Sequence, residues 1–106
     1  TAQVPVSFEL QQNYPNPFNP VTRIQYALPI QSNVRLSIFN ALGQEVVRLV
    51  DGNQPAGYYE AEWQGTNSLN IPVPSGVYFY RINVESVDED GARQSFTDVK
   101  RMLMIK

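Results

Sequence analysis

The most strand-like stretch of the chain is VYFYRINV, residues 77–84, which follows Ser75-Gly76 and is rich in aromatic and β-branched side chains. This composition predicts a strand at the centre of a sheet. In a strand, alternate side chains lie on opposite faces, so Arg81 falls on a predicted solvent face beside Val77 and Phe79. The other face is predicted to enter the core and carries Tyr78, Tyr80, Ile82 and Val84.

The sequence on both sides of this strand has the same two-residue period. Downstream, DEDG at 88–91 predicts a turn, and residues 94–105 predict its hairpin partner. Upstream, Trp63 is expected to anchor the core. Turn residues occur about every ten positions, and no helical period is evident. The pattern therefore predicts an all-β antiparallel sandwich of about seven strands, and the further predicted strands are 24–28, 34–38, 44–50 and 58–63.

Several local details follow from the same pattern. The strands at 24–28 and 34–38 are expected to pair as neighbours, because only a short turn separates them. DGN at 51–53 is expected to end the third strand. Residues 65–74 predict a loop with a short edge segment at 71–73. Whether residues 41–45 form a single helical turn stays open, because the pattern is too short to decide.

Three prolines fall within YPNPFNP, residues 14–20. Each proline lacks a backbone donor and favours extended geometry in its predecessor, so this segment cannot be a central strand. A free linker would expose Tyr14 and Phe18. We therefore expect the segment to dock across one end of the sandwich at an edge, where both rings are covered.

Composition excludes several functional classes. The chain has 106 residues, 42% hydrophobic and 17% charged, which fits one folded domain. It has no cysteine or histidine, which removes disulfides, thiolate zinc sites and imidazole-driven nucleophiles. A net charge of −2 without a basic run argues against nucleic-acid binding. No apolar run approaches the roughly 18 residues of a membrane span, so stable membrane insertion is not expected.

The chain resembles, from about Phe8 onward, the C-terminal sorting domains (type A) of proteins exported by the type IX secretion system of Bacteroidota and relatives. These domains are related to the immunoglobulin-like domains of flagellar-hook-capping proteins. The resemblance rests on YPNPFNP (14–20), TRIQYALP (22–29), NVRLSIFNALGQEVVRLV (33–50), AGYYEAEWQG (56–65), PSGVYFYRI (74–82) and KRMLMIK (100–106), in the family's order.

The resemblance implies a seven-stranded immunoglobulin-like sandwich that acts as a non-catalytic export module. In the family, the outer-membrane secretion machinery recognises the domain and exports the passenger that precedes it in the chain. A sortase-like peptidase often removes the domain at the surface. We therefore expect passage through the periplasm to the cell surface or the medium. The whole chain is then one C-terminal sorting domain, with a linker and first strand at 1–13, the proline segment at 14–20 and the sandwich body at 21–106.

By position, the family's late motifs supply the candidate recognition residues of this chain. They are Gly76, Val77, Tyr78 and Arg81, and in the tail Lys100, Arg101, Leu103, Ile105 and Lys106. From the residues alone, ordinary structural roles are the default for the glycine, the tyrosine and the arginine. The apolar last strand with its flanking cations fits either an edge guarded by charge or a strand offered for edge pairing.

Other chemistries explain the sequence less well, and we expect no catalytic residue, metal site or cofactor. Glu60 and Glu62 share a strand face, where a solvated surface is simpler than a carboxylate pair for catalysis or calcium. The main alternative is a carbohydrate-binding module with Tyr58 as its stacking ring, although one tyrosine is a thin platform. A further alternative is a structural spacer domain.

Overall fold

The structure, a computed structural model that describes residues 4–106, contains seven strands and no helix within that range. They form two antiparallel sheets, with strand order β1-β2-β5 in one and β4-β3-β6-β7 in the other. The predicted all-β sandwich of about seven strands is confirmed. The strands are β1 Glu9–Leu10, β2 Thr22–Leu28, β3 Ser32–Asn40, β4 Glu45–Gln54, β5 Gly57–Trp63, β6 Gly76–Val87 and β7 Arg93–Met104.

The inner faces of the two sheets enclose one core, which the two-residue period predicted. Trp63, the last residue of β5, is buried in this core, and its indole N–H donates to the carbonyl of Thr66 at 2.8 Å. The Tyr78 ring meets the indole edge-on with centroids 5.1 Å apart. The predicted core residues of β6 are all buried, namely Tyr78, Tyr80, Ile82 and Val84.

β6 and β7 form the longest hairpin, paired from Gly76–Met104 to Val87–Arg93. The DEDG turn closes it, because the Asp88 side chain accepts the amide N–H groups of Asp90 and Ala92 at 3.0 and 2.8 Å. β6 lies between β3 and β7, which confirms its predicted central position. The late part of the sequence therefore forms the middle and one edge of the larger sheet.

The predicted pairing of the strands at 24–28 and 34–38 is wrong. β2 pairs with β1 and β5, whereas β3 pairs with β4 and β6. Both strands bury alternate residues in the same core, Ile24 on one side and Leu36 on the other, so they face each other from opposite sheets. Proline at position 29 ends β2, and the short connection after it crosses between the sheets.

The predicted turn at 51–53 is also wrong, because β4 continues to Gln54. Asp51 and Gly52 pair with Arg35 and Val34 of the long strand β3. This nonlocal ladder overrides the local turn preference, and the chain turns at Pro55-Ala56 instead.

Two further local details concern residues 41–45 and 71–73. Residues 41–44 form a hairpin turn in which the Asn40 side chain accepts the amides of Leu42 and Gln44, each at 3.0 Å, so no helical turn forms. At 71–73 the predicted edge segment is reduced to one isolated bridge between Thr66 and Pro72. The two prolines that flank Val73 leave too few backbone donors for a strand.

Candidate recognition surface

The proline strap (residues 14–20) lies along the outer edge of β7. Phe18 forms a parallel bridge with Met104: its amide donates to the Leu103 carbonyl at 3.0 Å, and its carbonyl accepts the Ile105 amide at 2.8 Å. The Phe18 side chain is only 2% exposed and packs on Trp63 with centroids 5.7 Å apart. The predicted docking of this segment at an edge is confirmed.

Tyr14 departs from the expectation, since its ring is 80% exposed. Its backbone amide and carbonyl both bond to Arg23 at 2.9 Å, so its position is fixed by the backbone. This bridge places Tyr14 opposite Arg23, an exposed residue of β2, and so turns the ring away from the core. The strap is therefore held by one buried ring, not two.

The strap and its neighbours already occupy much of the β7 edge. In an antiparallel ladder, alternate residues direct both backbone groups away from the neighbouring strand. Asn16 Oδ1 accepts the amide of Leu103 at 3.0 Å, and Gln12 Nε2 donates to the carbonyl of Arg101 at 2.8 Å. The Asp98 carboxylate accepts the amide of Val99 at 2.9 Å. A foreign strand could add to this part of β7 only by displacing those partners.

Three of the candidate recognition residues make contacts within the domain that give them a structural role. Tyr78 is buried and donates to the Pro74 carbonyl at 2.6 Å, and burial raises the pKa of its hydroxyl. Gly76 pairs with Met104 at the start of β6 and has φ of 150°. Lys100 is half-buried and forms an ion pair with Asp98 at 3.8 Å.

The two residues beyond β7 are held by neighbouring loops. The Lys106 amide donates to Ser75 Oγ at 3.1 Å, and its ammonium donates to the carbonyl of Val73. The Ile105 amide bonds to the strap, while its side chain is half exposed. These contacts fix the course of the tail after Met104.

The other candidates come together on the outer face of the larger sheet. Val77 lies directly opposite Leu103, and Arg101 lies opposite Phe79, which in turn pairs with Phe39 of β3. We call this surface the arginine face, and it consists of Phe39, Val77, Phe79, Arg81, Arg101 and Leu103.

Arg81 is fixed on this face by an aromatic contact. Its guanidinium carbon lies 4.7 Å from the centroid of the Phe39 ring, a cation–π geometry. Ser37, its cross-strand neighbour, is buried on this outer side of the sheet. Phe39 was not among the predicted site residues, although its outward position in the alternation of β3, two residues after Ser37, was a signal for it.

Half of the eight cationic side chains of the chain form salt bridges, and the two arginines of this face are in the other half. Arg23, Arg35, Arg48 and Lys100 all have carboxylate partners. Within residues 4–106, neither Arg81 nor Arg101 forms a salt bridge. The face therefore presents two uncompensated positive charges on a chain whose net charge is −2.

The residues that the sequence offered for sugar binding or carboxylate chemistry do not form a site. Tyr58 is 67% exposed, but it is a single ring on the outer face of the smaller sheet. Glu62 pairs with Arg23 at 3.9 Å, and Glu60 accepts a hydrogen bond from Gln25 at 3.4 Å. Across the described residues, no group of acidic side chains is arranged to hold a metal ion. Over the same range, no helix has the length and hydropathy to cross a membrane.

Two antiparallel sheets of three and four strands around one core define an immunoglobulin-like sandwich domain. The family model for the FlgD Ig-like domain matches residues 20–90, and the chain belongs to this family. Among curated proteins, none matches the sequence significantly.

Solved structures share this fold. Dimeric latent PorU from Porphyromonas gingivalis superposes with a TM-score of 0.68 at 19% identity, covering 89% of this chain and 9% of that one. FlgD from P. aeruginosa superposes with a TM-score of 0.54 at 23% identity, covering 76% of this chain and 60% of that one. PorZ, described as an essential surface component of the type IX secretion system of P. gingivalis, superposes with a TM-score of 0.50 at 19% identity, covering 93% of this chain and 11% of that one. The chain thus spans less than two thirds of each.

Proposed function

We propose that this domain is a non-catalytic C-terminal sorting module, which the type IX secretion machinery recognises in order to carry an N-terminal passenger across the outer membrane. The passenger then reaches the cell surface or the medium, often after a sortase-like peptidase removes the domain. Support comes from the ordered motif resemblance and from the fold shared with PorU and PorZ, of which PorZ is described as part of that system.

The observation that carries the proposal is the pairing of the two late motifs. Residues 76–81 and 100–104, which the resemblance ties to export, lie on adjacent antiparallel strands. Four exposed or half-exposed candidates, Val77, Arg81, Arg101 and Leu103, fall on one face there. A recognition signal built from two distant sequence segments requires this kind of pairing.

A spacer domain is the second candidate, and the family match favours it. That match ends at residue 90, before β7 begins. An immunoglobulin-like spacer needs β7 only for folding, whereas a sorting module needs its exposed side chains as well. The two functions therefore differ in whether exposed residues of β7 matter to export.

The test uses residues 1–106 fused behind a periplasmic reporter in a type IX-competent host and in the same strain without the secretion system. We expect the reporter outside the cell only in the competent strain. Equal distribution in both strains refutes the proposal. Deleting residues 100–106 is a poor test, because it removes Met102 and Met104 from the core. Exposed point variants avoid that problem.

A further inference from the structure

We propose that the export partner binds the arginine face, not the β7 edge, and that the partner is a protein surface with carboxylates around an apolar centre. This inference rests on the proposed function and specifies which surface of the domain is recognised. The sequence alone left open whether the last strand acts by edge pairing.

Edge pairing is the less favourable mode because the C-terminal part of the β7 edge, residues 99–103, already has hydrogen-bond partners. The strap bonds to both outward backbone groups of Leu103, through Asn16 and Phe18, and Gln12 bonds to the Arg101 carbonyl. The strap in turn is anchored by the buried Phe18 ring. Strand addition at residues 101–103 would therefore have to displace the strap and expose a core side chain before new hydrogen bonds formed there.

The arginine face, by contrast, is not covered by any segment of residues 4–106, and it is apolar at its centre. Val77 and Leu103 lie opposite each other and are 37% and 39% exposed, although both are large hydrophobic residues. Phe39 and Phe79 form the adjacent half-buried row. A complex that removes the apolar surface of such a patch from water is stabilised by the hydrophobic effect.

The charges on the face define the chemistry of the partner. Arg81 and Arg101 are exposed and lack carboxylate partners within the described chain. A guanidinium presents a planar fork that suits a carboxylate, and the contact with Phe39 already orders Arg81. Ordering before binding lowers the entropic cost of the complex. Acidic side chains on the partner complement both arginines.

The opposite end of the same outer face has a different character. There most outward residues are polar, such as Asn33, Asn83 and Thr97, and Arg35 pairs with Asp51 at 3.8 Å. Arg93 lies at that end, exposed and also without a salt bridge in the described range. It therefore provides a matched control for a charge change on β7 outside the arginine face.

The experiment measures export of the reporter fused to the full chain in the competent host. The double variant Arg81→Glu with Arg101→Glu is expected to reduce export about tenfold or more, because it places like charges against the partner. Arg93→Glu is expected to stay near wild type. A double lysine variant, R81K with R101K, keeps the charge and should retain intermediate export. Thermal unfolding of each purified fusion checks that the domain is folded.

A second variant tests the edge directly. Thr97→Pro blocks strand addition along the part of β7 that the strap leaves open, and its amide points away from β6, so no ladder bond is lost. We expect normal export. Loss of export by folded Thr97→Pro, wild-type export by the double glutamate variant, or an equal loss with Arg93→Glu each overturns the inference. If wild-type fusion is not exported, the proposed function itself fails.

Discussion

Phe18 provides the sharpest test of how the strap is held. It is the one ring of the strap that enters the core, where it packs on Trp63, and its backbone bonds to both Leu103 and Ile105. We predict that Phe18→Ala destabilises the whole domain and releases the strap from β7. The substitution leaves the backbone bonding groups in place, so it isolates the contribution of the side chain.

The expected magnitude follows from complete burial. Replacing a buried phenylalanine by alanine removes its transfer free energy and leaves a cavity, which together cost about 3 to 5 kcal/mol. In a domain of this size, 1 kcal/mol shifts the melting temperature by roughly 4 to 8 °C. A loss near 4 kcal/mol therefore lowers the melting temperature by roughly 16 to 32 °C. Against a typical total of about 5 to 15 kcal/mol, this is a large fraction.

Urea denaturation gives the free energy of unfolding, and hydrogen exchange follows the amides of Leu103 and Ile105, which bond to the strap. Both amides should exchange faster in Phe18→Ala. Tyr14→Ala is the matched control, since this ring is in the same strap but 80% exposed, and it should cost no more than about 0.5 kcal/mol. A loss below about 1 kcal/mol for Phe18→Ala, or equal losses for both variants, refutes the reasoning.

Three further outcomes follow from contacts in the core. Gly65→Ala should cost at least about 1 kcal/mol more than Gly91→Ala in urea denaturation, because both have left-handed φ but only the first places a Cβ 3.0 Å from Met104 Sδ. Tyr80→Phe should cost about 2 kcal/mol, since it leaves the Asn13 amide, 2.8 Å from the hydroxyl, without its acceptor. Burial raises the pKa of Tyr80 to about 12 from 10.0, so its contribution to the free energy of unfolding is complete below pH 10.0 and is lost as pH rises through about 12. Unfolding measured against pH should show a smaller loss in Tyr80→Phe than in wild type, and the remainder comes from Tyr26 and Tyr78, whose pKa values burial also raises.

The sequence predicted which residues face the core, because alternate side chains of a strand point to the core on one face of the sheet and to water on the other. Trp63 and Tyr58 illustrate this, as they lie on one strand at opposite parity and are buried and exposed respectively. The same parity placed Arg81 with Val77 and so anticipated half of the arginine face. Register along β6 and β7 followed from the single turn between them.

The remaining features depend on contacts between distant residues. The two-residue period of β2 and β3 is the same whether they lie side by side or in opposite sheets, so only the assembled core assigns them. Phe39 joins the arginine face through its register with β6, which its local sequence does not encode. Tyr14 is turned outward by its bridge to Arg23, although its neighbour Phe18 is buried.

The strap connects an early and a late segment of the sequence, and this contact bears on the proposed mechanism. Asn16 and Leu103 are 87 residues apart in sequence and directly bonded, so the strand that carries two of the six residues of the arginine face is fixed by a segment that precedes the sandwich body. A tail peptide alone lacks the strap, β6 and Phe39, and therefore lacks the surface that we propose the partner binds. The proposed recognition of this surface therefore requires the folded domain, which agrees with a resemblance that extends over nearly the whole chain and not only over its last residues.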